Sequence, residues 1–171
     1  MNVDFWKYLD SRLLLTIKRA YDYHRLLGEY YELLYNTGLR GREATNKERW
    51  LEIDYIKNTI KFQPAKKSYI RTFKLSCIPK ITYRNIINKA EENQETKYRQ
   101  ATDHFNKFFQ CKQILVNTKK TTLHIFRHNY IKKLVIAGKK KEEIKKIIGH
   151  NDIRKTVHYI QEERILIEEN P

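Results

Sequence analysis

The order of apolar and polar positions divides the chain into two textures. Over residues 13–36, apolar and aromatic side chains recur three and four apart. Leu26, Leu27, Tyr30, Tyr31, Leu33 and Leu34 carry that pattern, which predicts helix. Gly28 marks a candidate break, and Gly38 stands where a C-cap glycine ends a helix. A short helix is expected from Arg42 to about Trp50. Then come two β-branched and aromatic runs, residues 58–62 and 69–75, on either side of the segment 63–68. They predict a β-hairpin with a basic turn, and residues 50–54 supply a candidate third strand. From Pro79 the texture is helical again. Residues 81–90 form one helical run, 91–100 a polar stretch and 105–109 an aromatic run. Thr122-Leu123-His124 opens a further helix with Phe126, Tyr130, Leu134 and Val135 as its apolar face, ending at Gly138. Residues 141–148, closed by Gly149, and residues 156–163 complete the set. The expected fold is α+β and mostly α, with a small antiparallel hairpin or three-stranded sheet near residues 50–75. Neither an internal repeat nor a Gly/Ser linker is apparent, so residues 1–171 read as one domain.

Composition narrows the class. A hydrophobic fraction of 40% over 171 residues is too high for a disordered chain. Five glycines and three prolines argue against a turn-rich all-β sandwich. Nothing approaches the roughly 20-residue apolar run that a bilayer crossing needs, and the first residues lack a signal-peptide layout. Cys77 and Cys111 cannot build a disulfide framework and fit a reducing compartment, so an intracellular location is expected.

Charge adds a partner. Lysine and arginine total 35 against 20 acids, a formal net charge of +15. Thirteen of those cations, against three acids, fall between Lys112 and Lys155. A block this dense favours a polyanion, nucleic acid ahead of a membrane surface. Lys119, Lys120, Lys139, Lys140, Lys141 and Arg154 are candidate DNA contacts within it. Arg42, Lys66 and His128 are further candidates outside it or beside the motifs below.

Four separated pieces carry candidate chemistry. They are Thr37-Gly38-Leu39-Arg40 with Glu43, the pair Lys66-Lys67, His124-Ile125-Phe126-Arg127, and Gly149-His150 with Tyr159 nine positions on. A phosphodiester would bring such groups together. Guanidinium forks match the non-bridging oxygens of the transition state bidentately, which suits Arg40 and Arg127. Imidazoles bond the same oxygens or move protons, which suits His124 and His150. A phenol ordinarily loses its proton only near pH 10, at about its free pKa, and becomes a nucleophile when cations and a base assist it. A lysine protonates the leaving alkoxide. The cations neutralise the developing charge, so no metal or other cofactor is called for. His124 and His128 at i and i+4 lack a third ligand of suitable spacing and make no metal site.

In this order and spacing, the set closely resembles the catalytic domain of the tyrosine recombinases, the phage-integrase family, over about residues 26–161. The resemblance implies Arg40, Lys67, His124, Arg127 and His150 as catalytic residues and Tyr159 as nucleophile. Glu43 would support Arg40, and Lys66 is the alternative acid. It implies site-specific cleavage and rejoining of DNA through a 3′-phosphotyrosyl intermediate without a cofactor. The partner would be double-stranded DNA, bound by a homotetramer that is monomeric in isolation, in the cytoplasm or nucleoid of a prokaryote. Residues 1–20 are expected to be a lead-in and 162–171 a tail that docks on a neighbour or folds back. The separate N-terminal DNA-clamping domain usual in the family is expected to be missing. Gly41 and Arg42 depart from the hydrophobic and small residues usual there. Two rivals share the fold: a DNA-binding protein that does not recombine, and a type IB topoisomerase.

Overall fold

The computed structural model describes residues 3–64, 69–79, 94–109, 123–150, 152–154 and 157. The element order is α1 (Val3–Tyr23), α2 (Arg25–Thr37), α3 (Gly41–Ala44), a 3₁₀ turn (Lys47–Arg49), β1 (Trp50–Asp54), β2 (Thr59–Phe62) and β3 (Arg71–Lys74). A second 3₁₀ turn (Leu75–Cys77), α4 (Gln94–Phe109), α5 (His124–Ile136) and α6 (Lys141–Ile148) follow. The chain is mostly helical with one small antiparallel sheet, as its pattern predicts.

Several expectations are corrected. Of the expected lead-in, residues 3–20 belong to helix α1 and form part of the core. Trp6, Leu9, Leu13, Ile17 and Ala20 are buried, and their three- and four-residue steps make one apolar stripe. The predicted helix over 13–36 is two helices. The break falls at His24, which is extended (φ −160°, ψ 122°), and not at Gly28. Gly28 sits inside α2, where an added Cβ would lie 2.3 Å from the Tyr21 ring. The helix expected from Arg42 to Trp50 is only the turn Gly41–Ala44 followed by 3₁₀. Residues 94–100, read as a polar stretch, are the first turns of α4. Ala101, Phe105 and Phe109 recur every four residues there and are buried, which one buried side of a helix requires. The expected helices at 81–90 and 156–163, Cys111 and the tail 162–171 lie outside the described residues, or nearly so.

The core joins α1, α2, α4 and α5. Tyr31, Phe105 and Phe126 pack ring on ring, with centroids 5.4–5.8 Å apart. The Tyr31 hydroxyl donates to the Ala101 carbonyl at 2.5 Å. Two α1 arginines reach the last turn of α4, Arg12 donating to Phe109 O and Arg19 to Phe108 O, each at 2.8 Å. The sheet order is β1-β2-β3, all antiparallel. Its buried face carries Trp50, Ile60, Phe62, Arg71 and Phe73.

Candidate active site

The first site residue is placed by the end of α2. Gly38 closes that helix in the left-handed region (φ 61°), its N–H donating to Leu34 O at 2.9 Å. This is the αL form of helix C-cap, which suits a residue without Cβ. The site is doubly restrictive, because a Cβ would also stand 2.5 Å from the Tyr130 ring. The reversed chain delivers Arg40 as the residue that starts α3. Its Nη1 donates to Glu43 Oε1 at 3.1 Å. Glu43 is buried and Arg40 half-exposed, so the carboxylate steadies a guanidinium that still faces solvent.

Helix α5 supplies the second arginine from inside. Arg127 is 0% exposed. Nη1 donates to Gly38 O and Nη2 to Ile148 O, each at 2.8 Å. One guanidinium therefore joins the C-terminal ends of α2 and α6. Both ends carry the negative pole of a helix dipole, which favours a cation. His124 opens the same helix. Burial above all, then His128, Arg127 and Arg40, hold its pKa down at about 3. It is a neutral imidazole, with the His128 ring edge-on at 5.2 Å.

Helix α6 places the second histidine. His150 N–H donates to Lys145 O at 3.0 Å and Gly149 N–H to Lys146 O at 3.2 Å, around Gly149 at φ 69°. That bond pair is a Schellman motif. It turns His150 inward, where it is 2% exposed. Ile148 O, two residues earlier, is the acceptor of Arg127.

Arg40, Glu43, His124, Arg127 and His150 are thus drawn together by the ends of α2 and α6 and the start of α5. His128 joins through His124. Lys66, Lys67, Lys119, Lys120 and Tyr159 lie outside the described residues. Lys139, Lys140 and Lys141 are exposed at the start of α6, where Lys139 pairs with Glu143 at 3.4 Å. Arg42 is exposed on α3. Arg154 is exposed and pairs with Asp152 at 2.9 Å. The basic block is less of a surface than its composition implies. Lys132 is buried against the Trp6 ring, 4.6 Å from its centroid. Lys133 pairs with Asp10 at 2.8 Å. No group of three or more His, Cys, Asp or Glu side chains suited to a metal is present among the described residues.

One residue of this neighbourhood escaped the sequence reading. Arg71, on β3, donates through Nη2 to Thr37 O. Its signal in the sequence is a cation at a core-facing step of an alternating strand.

The chain matches the phage integrase family over residues 11–164. No curated protein matches it by sequence. Two solved structures share its fold. XerA recombinase superposes with a TM-score of 0.61 at 16% identity, covering 94% of this chain and 64% of that one. An Arg-to-Lys variant of the Tn1549 transposon integrase, in complex with a circular intermediate DNA, superposes with a TM-score of 0.51 at 16% identity, covering 81% and 58%. The chain therefore spans less than two thirds of either relative. At that identity the likeness is one of fold, and it is the match along nearly the whole sequence that decides the family: this chain belongs to the phage integrase family.

Proposed function

We propose that this chain cleaves and rejoins DNA strands as a site-specific recombinase. The observation that carries the reading is the convergence of Arg40 with Arg127 and His124, three phosphate-seeking side chains from two distant segments, with Glu43 steadying Arg40. In this mechanism Tyr159 Oη attacks the scissile phosphorus. The P–Oη bond forms as the P–O5′ bond breaks, leaving a 3′-phosphotyrosyl link. The departing 5′-oxygen takes its proton from Lys67, or from Lys66 in its place. Arg40, which faces solvent, holds the non-bridging oxygens as charge grows on them, and Arg127, enclosed with its Nη atoms on two carbonyls, supports it with positive potential. His124, neutral at physiological pH, donates a hydrogen bond to the same oxygens. An arriving phosphate raises its pKa by Coulomb attraction, which lets it receive the tyrosine proton. His150, held at the end of α6, is the second imidazole for those oxygens. Attack by another 5′-hydroxyl reverses the steps and exchanges strands, so bond energy is conserved and no nucleotide is consumed. Exposed Lys139, Lys140, Lys141, Arg42 and Arg154 take up flanking phosphates, and a tetramer on two duplexes brings the exchanging strands together.

The test is a nicked suicide duplex, built from the DNA of the element that carries the gene, whose short 5′ product diffuses away. The wild-type chain is expected to form an SDS-resistant protein–DNA adduct, and Tyr159→Phe to form none while binding the duplex equally well. An adduct with Tyr159→Phe, or none with the wild type, refutes the reading.

A further inference from the structure

Strand β3 alternates in exposure: Arg71 buried, Thr72 exposed, Phe73 buried, Lys74 exposed. A period-two strand calls for an apolar side chain at each buried step. Arg71 is instead a cation there, only 3% exposed. Its guanidinium lies 4.5 Å from the Phe73 ring centroid, and Nη2 donates to Thr37 O. Its Nε and Nη1 are buried, with the Tyr130 hydroxyl as a neighbouring hydrogen-bonding group. Burial, then the charge of Arg127, lowers its pKa to about 9, with Tyr130 and Glu43 opposing the effect and Arg40 adding to it. The side chain is therefore still a cation at neutral pH, held beside two others.

Such a group is costly for the fold, and a methionine or leucine would satisfy the strand pattern better. What it contributes is visible in the turn it touches. Thr37 and Gly38 offer consecutive carbonyls, and each is taken by a buried guanidinium, Thr37 O by Arg71 and Gly38 O by Arg127. Arg40 is two residues further along the same turn. The end of α6 also makes room for Arg71. A Cβ on Gly149 would stand 3.3 Å from Arg71 Cδ and 3.0 Å from Pro64 Cγ. The Arg71 stem thus passes between the Gly149 turn and the turn that carries Arg40.

Resting on the function proposed above, we infer that Arg71 is a positioning residue for the phosphate clamp. It ties the sheet to the Thr37–Gly38 peptide, and acts on the scissile phosphate only through the direction that peptide gives to Arg40.

The experiment compares adduct formation on two versions of the suicide duplex, one with the natural scissile phosphate and one with a methylphosphonate there. The methylphosphonate lacks one anionic oxygen and has less need of an aligned guanidinium. Arg71→Met and Arg71→Lys are expected to slow cleavage of the phosphate on the order of 10–100-fold, the usual cost of a small misplacement. On the methylphosphonate the loss is expected to shrink to about three-fold or less, as the electrostatic demand is removed. Arg40→Ala should show the same split. A purely structural role would depress both substrates alike, so equal losses overturn the inference, as does unchanged cleavage of the phosphate. Circular dichroism separates misfolding from misplacement. If Arg71→Met does not fold, Arg71→Lys carries the comparison, and if neither folds the inference is overturned, because Arg71 would then serve the fold and not the turn. A wild-type chain that makes no adduct defeats the proposed function itself, whereas an active wild type with equal losses defeats only the role of Arg71.

Discussion

Arg127→Lys isolates what the buried guanidinium does for the fold, because it keeps the charge and removes the fork. In the wild type two different nitrogens serve two carbonyls, Gly38 O and Ile148 O, both at 2.8 Å. Those lengths are typical of charge-assisted bonds. A lysine has a single nitrogen and cannot stand at both positions. The cost of burying the cation stays, while one carbonyl loses its donor at a fully enclosed site. A hydrogen bond to a charged group contributes about 1.5–3 kcal/mol, so the variant should lose about that much, a sizeable part of the roughly 5–15 kcal/mol that holds a domain folded. Urea unfolding followed by tryptophan fluorescence reads this directly, since Trp6 and Trp50 are both buried. The midpoint should fall with the slope unchanged, the sign of lost stability without a change in the surface exposed. Arg127→Met is the useful contrast. It removes the buried charge as well, relieving a desolvation cost, and takes away one of the cations that depress His124. The His124 pKa should then rise above about 3. A loss below about 0.5 kcal/mol for Arg127→Lys would show that the two carbonyls are not held by separate nitrogens.

Two further outcomes follow from the same geometry. Gly38→Ala should cost about 2–5 kcal/mol in the same urea titration, from the left-handed backbone and the collision with the Tyr130 ring, and a loss under about 1 kcal/mol would mean that ring yields freely. For His124, the unfolded chain binds a proton below about 6.5 and the folded chain only near 3, so the stability it contributes is complete above pH 6.5 and is lost as pH falls toward 3. Comparing pH 7 with pH 5, the wild type should lose about 2 kcal/mol more than His124→Asn, and equal losses would refute the burial of a neutral imidazole.

Elements with sharp ends were legible in the sequence. Helix α6 lies at residues 141–148 and β1 at 50–54, as expected, because Gly149 stops the one and the run Trp50-Leu51-Glu52-Ile53 beside the hairpin marks the other. Boundaries governed by packing were not. The stripe of α1 is present in the sequence, but the run Leu13-Leu14-Leu15 hides it, since Leu14 and Leu15 point to solvent. The start of α4 reads as polar because the apolar residues Ala101, Phe105 and Phe109 that anchor the helix in the core come only after Gln100. Of the site, the Arg40 turn and the Gly149-His150 turn were legible, because both need glycine at a helix end. Cation burial was not legible. Lys132 and Arg127 count toward a basic surface in composition, yet both are inside. Arg71 breaks the strand pattern, and no local rule distinguishes a cation that faces water from one that bonds a distant turn.

The way these buried cations are held bears on what they can do. Arg12 and Arg19 show that this chain binds guanidinium groups to helix C-termini away from the site as well, on the last carbonyls of α4. At the site the same device holds Arg127 on the ends of α2 and α6, and Arg71 on the end of α2. A carboxylate would hold an arginine equally firmly but would cancel its charge. A carbonyl carries only a partial charge, so it fixes the guanidinium and leaves most of the positive potential in place. Glu43 is paired with Arg40, which is half-exposed and hence partly screened by water. The result is a cluster of positive potential that adds to burial, the larger cause, in depressing the pKa of His124 and of Arg71. Under the function proposed above, an incoming phosphodiester would relieve that repulsion, and the relief would grow as charge accumulates on its oxygens in the transition state. In that mechanism, repulsion among the cations in the free protein becomes preference for the transition state.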